Sequence, residues 1–268
     1  MFKNKLSTTK TMLGLGAAAA VAVFAGSATP SRASITITTT LYPYEAAASS
    51  GDVAPTGNNT NYAPGYPSGS WESNGNKLEL YLSPSSLFGE TVTLNDTSSS
   101  LAGLSYWTDK LNAVQGDWYI NIYSNTQSSG NAASWYHNRY TLTPAGGSSA
   151  SYSSSAATNT WMQATTATSN DQLMVTAINS TLLSSGNFMT LSQLEADATY
   201  NADTVKYITL TVASNATTLR SLVDGEQFSL NDGSSATFNL ETPEPATLAL
   251  LAVGGLGLLM RRRKKVES

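Results

Sequence analysis

The sequence predicts an all-β fold, an antiparallel β-sandwich that is jelly-roll-like, for the body of this chain of 268 residues. Short stretches alternate apolar and polar residues with a period of two, which is typical of half-buried strands. Clusters of Gly, Asn, Asp and Ser separate these stretches, and many short strands with such turns favour antiparallel sheets over a parallel sheet. The predicted strands are 34–42, 77–82, 91–94, 104–108, 118–123, 139–143, 205–213, 227–230 and 236–240.

One short helix is predicted among the strands. Thr190 can serve as its N-cap, and Leu191 and Leu194 stand three residues apart on one helical face. The stretch 171–179 fits a strand or a helix. The segment 46–70 carries prolines with Gly, Asn and Tyr and is predicted to be a long surface loop. The segment 144–160 is nearly pure Ser, Ala, Gly and Thr and is predicted to be a flexible loop or a glycan-bearing stretch.

The N-terminal segment has the three parts of a secretory signal peptide, and the parts stand in the expected order. Lysines precede an apolar run at 12–25, and small residues then converge on Ala33. The apolar run is too short for a comfortable transmembrane helix. We expect a signal peptidase to cleave after Ala33, with Ala28 as the alternative; a buried N-terminal helix is the other interpretation. The domains are therefore 1–33, signal peptide; 34–240, exported body; and 241–268, C-terminal tail.

Charge is distributed very unevenly along the chain. Nine of the 14 basic residues lie in the terminal segments, which leaves five between residues 34 and 241; 16 of the 18 acidic residues lie there. Residues 34–241 therefore carry a net charge of −11. Nucleic acids and anionic membranes require clustered Lys and Arg, so neither is an expected partner of the body. The chain has no cysteine, which removes thiol catalysis and thiolate metal sites.

The residues that could carry catalysis are few. His137 is the single histidine, so the usual zinc site cannot be built, and no catalytic residue is predicted. The stretch 103–107 does not match a nucleophile elbow, because Trp107 stands where glycine is needed. Glu72 and Glu79 are the nearest pair of carboxylates for glycoside cleavage, but we expect them to be solvated surface residues.

Aromatic residues are the stronger signal, because flat aromatic faces stack on sugar rings. The stretch SWYHNRY, residues 134–140, is the densest cluster of them, and it nominates Trp135, Tyr136 and Arg139 as glycan contacts. Other aromatic residues, such as Trp107 and Trp118, lie in predicted strands and are expected in the core.

No organic cofactor is predicted, and the metal ion for which the sequence offers ligands is a structural calcium ion. The stretches 224–226 and 231–233 are rich in oxygen ligands, which Ca²⁺ prefers. Asp-Gly is also the commonest hairpin turn, and the turn interpretation is favoured at both places.

The C-terminal tail differs from everything before it. Residues 246–260 are apolar or small, a run short of the ~20 residues that span a bilayer. A cluster of positive charges follows and acts as a membrane stop of positive-inside sign. These residues are Arg261, Arg262, Arg263, Lys264 and Lys265. Pro243 and Pro245 keep the preceding chain extended, so a protease would find an accessible site beside a temporary anchor.

Pro243-Glu244-Pro245, the apolar run with its glycines and the basic cluster together resemble the PEP-CTERM sorting signal. This resemblance implies an exopolysaccharide-producing Gram-negative bacterium and an exosortase, an integral-membrane protease that recognises Pro243, Glu244 and Pro245. It also implies transient anchoring in the inner membrane, followed by transfer to the cell surface or the extracellular biofilm matrix. Exopolysaccharide is a further partner that it suggests.

The body is similar to uncharacterised jelly-roll-like bodies that often precede this signal, through stretches such as 117–124, 135–144 and 205–214. This similarity implies a fold and no activity. The leading hypothesis is a non-enzymatic surface or matrix protein with weak glycan affinity. The alternatives are a secreted glycan-active enzyme of the glycoside hydrolase type, and a coat or scaffold protein without a ligand site.

Overall fold

The fold is given by a computed structural model. It describes residues 34–41, 56–58, 60–66, 69–74, 78–95, 99–112, 117–125, 138–145, 159–167, 172–212 and 220–241. The strands in these ranges are β1 (Thr36–Leu41), β2 (Thr56–Asn58), β3 (Ser70–Asn74), β4 (Leu78–Leu82), β5 (Leu101–Lys110), β6 (Trp118–Asn125), β7 (Arg139–Pro144), β8 (Met162–Thr165), β9 (Leu173–Ile178), β10 (Thr181–Leu182), β11 (Thr204–Val212), β12 (Arg220–Leu230) and β13 (Ser235–Leu240).

Seven of these strands form one sheet, here called sheet A. The long strand β12 organises it: β5 pairs along one edge of β12, while β3 and β13 share the other edge. The outer positions are taken by β2 beside β3, β8 beside β5 and β1 beside β13. All of these pairs are antiparallel except that of β1 with β13, which is parallel.

The other six strands form sheet B, in the order β10-β9-β7-β6-β11-β4. All neighbours in sheet B are antiparallel. Two sheets of mainly antiparallel strands confirm the predicted β-sandwich.

The core lies between the sheets because the strands bury alternate side chains. Leu104 and Tyr106 of β5 and Ile120 and Ile122 of β6 all belong to one buried cluster. Polar bonds also join the sheets: the Tyr106 hydroxyl donates to the carbonyl of Trp118, whose indole Nε1 donates to the Ser221 carbonyl at 3.2 Å. Trp118 is therefore a core residue, as the sequence predicts.

The predicted helix is confirmed as α2 (Leu191–Ala196), with Thr190 as its N-cap. The Gln193 amide donates to Thr190 Oγ1, and the Thr190 amide donates to Gln193 Oε1, which together make a capping box. Leu191 and Leu194 are buried, as expected from their spacing. A helix that was not predicted, α1 (Pro84–Phe88), begins after the N-cap Ser83. A 3₁₀ turn covers Ser185–Asn187.

Several boundaries differ from the prediction. The predicted strand 91–94 is wrong, because only Thr93 makes isolated β-bridges there. The ambiguous stretch 171–179 contains the strand β9. The predicted loop 46–70 includes the short strand β2, and β12 begins seven residues before the predicted start at 227. The described residues include no helix that is long and apolar enough to cross a membrane. The predicted signal peptide and the residues of the tail after Glu241 lie outside them.

Candidate functional site

One depression in the described part of the chain, a groove of about 380 Å³ beside sheet A, is lined mainly by aromatic side chains. We call it the aromatic groove. Tyr62 and Tyr66 line it from one segment, Trp161 lines it from another, and residues 63–65 form the remaining wall. Tyr62 is one of the few large hydrophobic side chains that the structure exposes, with 49% of its surface accessible. Aromatic walls with a few polar tips are characteristic of small-ligand sites.

The segment that carries both tyrosines folds through local turn chemistry. Asn58 Oδ1 accepts hydrogen bonds from the amides of Thr60 and Asn61, at 3.0 Å each, and so turns the chain after β2. Residues 64–65 form a second turn, in which the Tyr66 amide donates to the Ala63 carbonyl at 3.0 Å. Gly65 has φ +88°, a conformation that favours glycine. The two turns present Tyr62 and Tyr66 on the same side of the segment.

The amide group of Asn61 fixes the third aromatic residue. Its Oδ1 accepts from the indole Nε1 of Trp161 at 2.7 Å, and its Nδ2 donates to Asp109 Oδ2 at 2.9 Å. One carboxamide thus ties the turn segment to Trp161, just before β8, and to the outward side of β5. Asp109 is 1% exposed, so the hydrogen bond that supports Asn61 is buried and Asp109 does not itself line the groove. Preorganised aromatic side chains lose little conformational entropy when a ligand binds.

Tyr66 lies directly over a glycine of β12. A Cβ atom on Gly225 would stand 2.5 Å from two atoms of the Tyr66 ring, so a larger residue would force the ring to shift, and φ +60° also favours glycine. The pairing register of β12 with β5 shifts between Asp224 and Gln227, which makes Gly225 part of an irregularity in the strand. Burial and the nearby Asp224 carboxyl raise the pKa of the Tyr66 hydroxyl, which therefore stays protonated.

A second depression, of about 280 Å³, lies along the same two strands, and we call it the polar groove. Ser105 and Gln227 line it, and they face each other across the pairing of β5 with β12. Ser229 and Thr165 add hydroxyl groups, and Glu195 of α2 adds a carboxylate. The polar groove therefore presents hydrogen-bond donors and acceptors where the aromatic groove presents rings.

Two acidic side chains near the grooves are completely buried. Asp224 Oδ1 accepts from the amides of Gly225 and Leu240, at 2.7 and 2.8 Å, but Asp224 Oδ2 has no hydrogen-bond partner in the described structure. Glu226 shares the core side of the sheet with Phe228 and Phe238, and neither of its carboxylate oxygens has a partner among the described residues. Burial raises the pKa of Asp224 to about 7 and the pKa of Glu226 to about 8.

The two stretches considered for calcium form a strand irregularity and a turn. Asp232 accepts from the Ser234 amide and hydroxyl, at 2.7 and 3.0 Å, inside the turn between β12 and β13. Gly233 has φ +87°, as such turns require. Across the described ranges, no group of three or more acidic or histidine side chains is arranged to hold a metal ion.

The candidate carboxylate pair is divided between the two sheets. Glu72 lies on β3 of sheet A and is 8% exposed, and its Oε1 accepts from Nε and Nη2 of Arg220 at 2.8 and 2.5 Å. Glu79 lies on β4 of sheet B; its side chain lies outside the described structure. The described contacts of Glu72 are those of a structural ion pair.

Of the predicted glycan contacts, the structure describes only Arg139. It lies on β7, where its Nη1 donates to the Tyr123 hydroxyl at 3.5 Å. Tyr123 stacks with Tyr81 at 5.9 Å but is fully buried, so its ring face is not available to a ligand. Trp135 and Tyr136, like His137, lie outside the described residues, and their glycan role stays a prediction.

Comparison with known families decides the nature of the C-terminal tail. Residues 241–264 match the PEP-CTERM protein-sorting motif. The chain therefore carries a PEP-CTERM tail, as the residues Pro243, Glu244 and Pro245 predict. No curated protein matches the chain. The similarity of the body to other jelly-roll-like bodies thus stays a prediction.

The PEP-CTERM tail indicates an exported protein that an exosortase processes at the membrane. The match begins at Glu241, which is the last residue that the structure describes. Ala33 as the signal-peptidase site and the membrane stop that ends at Lys265 lie outside the described residues and stay predictions.

Sequence reasoning missed the aromatic groove because its parts are distant along the chain. Trp161 and Asn61 are 100 residues apart, and Asp109 lies between them in sequence. A local signal was present: Tyr62 and Tyr66 flank Pro64-Gly65, a turn pair that displays the residues around it. It lies in a segment whose composition predicted only a loop.

Proposed function

We propose that this protein is a non-enzymatic component of the bacterial cell surface or extracellular matrix that binds glycan in the aromatic groove. The PEP-CTERM tail supports the destination, because such tails accompany exosortase processing. The aromatic groove supports the activity. The exopolysaccharide-producing Gram-negative host and the biofilm setting are parts of the same proposal.

The observation that carries glycan binding is the arrangement of Tyr62, Tyr66 and Trp161 around one groove of about 380 Å³. A sugar ring has an apolar face of C–H groups and a rim of hydroxyls. Aromatic rings cover the face, and their polar tips reach the rim. Because Asn61 holds Trp161 in place, the rings need little reordering when a sugar binds.

The position of the groove also fits this activity. It lies on the side of sheet A that faces away from the core, where a long polymer can pass without entering the fold. Single aromatic platforms of this size bind weakly. Weak sites suit a matrix protein, because several copies held along one polymer bind with an avidity that exceeds the affinity of any single site.

The described carboxylates favour binding over hydrolysis. Glycoside cleavage needs two carboxyl groups that face each other across a site. Glu72 is held in an ion pair with Arg220, Asp224 and Glu226 are fully buried, and Glu195 is the one carboxylate in the described lining of the polar groove. A coat or scaffold protein without a ligand site is the remaining alternative.

A glycan array with the purified full-length chain in detergent tests this function. We expect binding to one class of glycan, and its loss in Tyr62→Ala. The variant Trp135→Ala is the decisive comparison, because it removes the aromatic residue that the sequence nominates. If only Trp135→Ala loses binding, glycan binds at Trp135 and the assignment to the aromatic groove is wrong. If no glycan binds, the proposed activity is wrong, and release of reducing sugar from a bound glycan would favour the enzyme.

A further inference from the structure

We propose that the outer side of sheet A binds a linear, neutral glycan chain across two adjoining sites, the aromatic groove and the polar groove. This inference rests on the proposed glycan binding and specifies its ligand. A single sugar would occupy the aromatic groove alone. A longer oligosaccharide would continue along β5 and β12 into the polar groove.

The register of the strands places the grooves side by side. Tyr66 of the aromatic groove covers Gly225, and Gln227 of the polar groove is two residues further along β12. Two residues of a regular strand span about 7 Å, so these two positions are at most that far apart along β12. On β5, Ser105 pairs with Gln227, while Trp107 pairs with Asp224 next to the covered glycine. The grooves are therefore neighbouring parts of one surface.

Trp107 is the outward residue of β5 between Ser105, which lines the polar groove, and Asp109, which supports the aromatic groove through Asn61. It lies between Tyr106, a core residue, and Thr108, which is also buried, so its side chain is on the outer side of β5 with Ser105. It is partly exposed, and its strand partner on β8 is the exposed Gln163. An indole at this position adds a flat apolar surface between the aromatic rings and the polar groove.

The polar groove has the groups that a glycan chain requires. Gln227 offers two donors and an acceptor, and its side chain makes no hydrogen bond with a described residue. Ser105, Ser229 and Thr165 contribute hydroxyls, which both donate and accept. Sugar hydroxyls also donate and accept, so a surface of hydroxyls and one carboxamide matches a sugar better than it matches an apolar ligand.

The charges identify the glycan as neutral. In the described lining of both grooves there is no Lys or Arg to bind uronate, sulfate or phosphate groups. Glu195 in the polar groove and the net charge of −11 over residues 34–241 repel a polyanion. A neutral polymer meets no such barrier.

Titration of the full-length chain in detergent with neutral oligosaccharides of graded length tests this inference. The probes are the mono-, di-, tetra- and hexasaccharides of glucan, mannan and galactan, with polygalacturonic acid as the anionic comparison. We expect affinity to rise with length, by roughly tenfold or more from monosaccharide to hexasaccharide. Gln227→Ala should remove most of this gain and leave monosaccharide binding unchanged. Leu182→Ala, an exposed change on β10 of sheet B, is the matched control.

The outcomes separate this inference from the proposed function. Equal affinity for short and long probes, or a Gln227→Ala variant that keeps the length dependence, overturns the two-groove chain site and leaves glycan binding in place. Tighter binding of polygalacturonic acid overturns the neutral ligand. Absence of binding to every probe overturns both proposals. Thermal unfolding of each variant shows whether the fold is intact.

Discussion

The indole Nε1 of Trp71 donates a hydrogen bond of 3.1 Å to the carbonyl of Glu241, 170 residues later in the chain. The Glu241 amide in turn donates to the Leu41 carbonyl at 3.0 Å. Glu241, the first residue of the match to the sorting motif, is thus held by bonds to β3 and β1. Trp71 is 1% exposed, so the bond to Glu241 is shielded from water.

Replacement of Trp71 by phenylalanine should lower the free energy of unfolding by about 2 kcal/mol, because it removes this shielded bond and leaves a small cavity. Urea unfolding of the full-length chain in detergent measures the change. Trp161→Phe is the matched control: it removes a hydrogen bond to Asn61 at a half-buried position and should cost less. An equal cost for both variants would contradict a special role for the Trp71–Glu241 bond.

Deletion of 243–268 should prevent exosortase processing and change where the protein accumulates. The tail carries the sorting motif, so the truncated chain lacks both the predicted recognition residues and the predicted temporary anchor. Fractionation of the producing cells, with immunoblots of the inner membrane, outer surface and medium, measures the distribution. A triple Ala variant at Pro243, Glu244 and Pro245 keeps the anchor and should accumulate as an unprocessed membrane precursor. A truncated chain that reaches the surface in the normal form would refute the sorting role.

Much of the β-sandwich is predictable from the sequence because its strands bury one side. The strand β4, for example, alternates Leu80 and Leu82 with polar positions, and both leucines belong to the core. Other elements lack this simple signal. Trp71 and Ser73 of β3 are buried on one side of the strand, while Glu72 is buried on the other in its ion pair, so no apolar alternation marks β3.

The helix α1 shows a signal that was present but overlooked. Ser83 is the N-cap, Pro84 follows at the first helical position, and Gly89 ends the helix with φ +69°. Serine before and glycine after a short stretch is the ordinary pattern of helix ends. The helix has only five residues, too few for hydrophobic periodicity to indicate it.

The candidate site could not be predicted because it depends on long-range contacts. The Asn61 carboxamide joins Trp161 and Asp109, and the position of the Tyr66 ring depends on the absence of a side chain at Gly225. None of these residues is close to its partners in sequence. Local composition indicates aromatic clusters such as SWYHNRY, but it does not show which aromatic residues meet after folding.

The stability of the body should decrease as the pH rises from about 4 to about 8. Burial raises the pKa of Glu226 to about 8 and that of Asp224 to about 7, so the folded state holds protons that the unfolded chain releases. The stabilisation from these bound protons is fully present below the pKa values of the unfolded chain. It is lost as the pH rises through the pKa values of the folded state. The slope is at most about 1.4 kcal/mol per pH unit for each group.

The variant Glu226→Gln tests this pH dependence, because glutamine stays neutral throughout the range. Thermal or urea unfolding at a series of pH values should give a shallower decline than in the unmodified chain. Leu182→Ala changes no titratable group and should keep the original slope. Parallel slopes for Glu226→Gln and the unmodified chain would show that the buried Glu226 does not cause the effect.

Gly225→Ala should both destabilise the body and abolish glycan binding. The new Cβ would stand 2.5 Å from the Tyr66 ring, and φ at this position is +60°, which alanine adopts only with strain. Crowding and backbone strain of this kind lower the free energy of unfolding by about 1–3 kcal/mol or more. Gly186→Ala is the matched control, because its Cβ would meet nothing within 4 Å. Normal glycan affinity in Gly225→Ala would show that the position of Tyr66 does not matter.

Calorimetric titration of the full-length chain with a glycan selected on the array tests the central claim, that the aromatic groove binds sugar, most directly. Tyr62 is the best target, since it is 49% exposed and lines the groove at its surface. We predict that Tyr62→Ala weakens binding by roughly tenfold, with an unchanged unfolding temperature, while Leu182→Ala binds normally. Equal affinity of Tyr62→Ala and the unmodified chain would contradict the account.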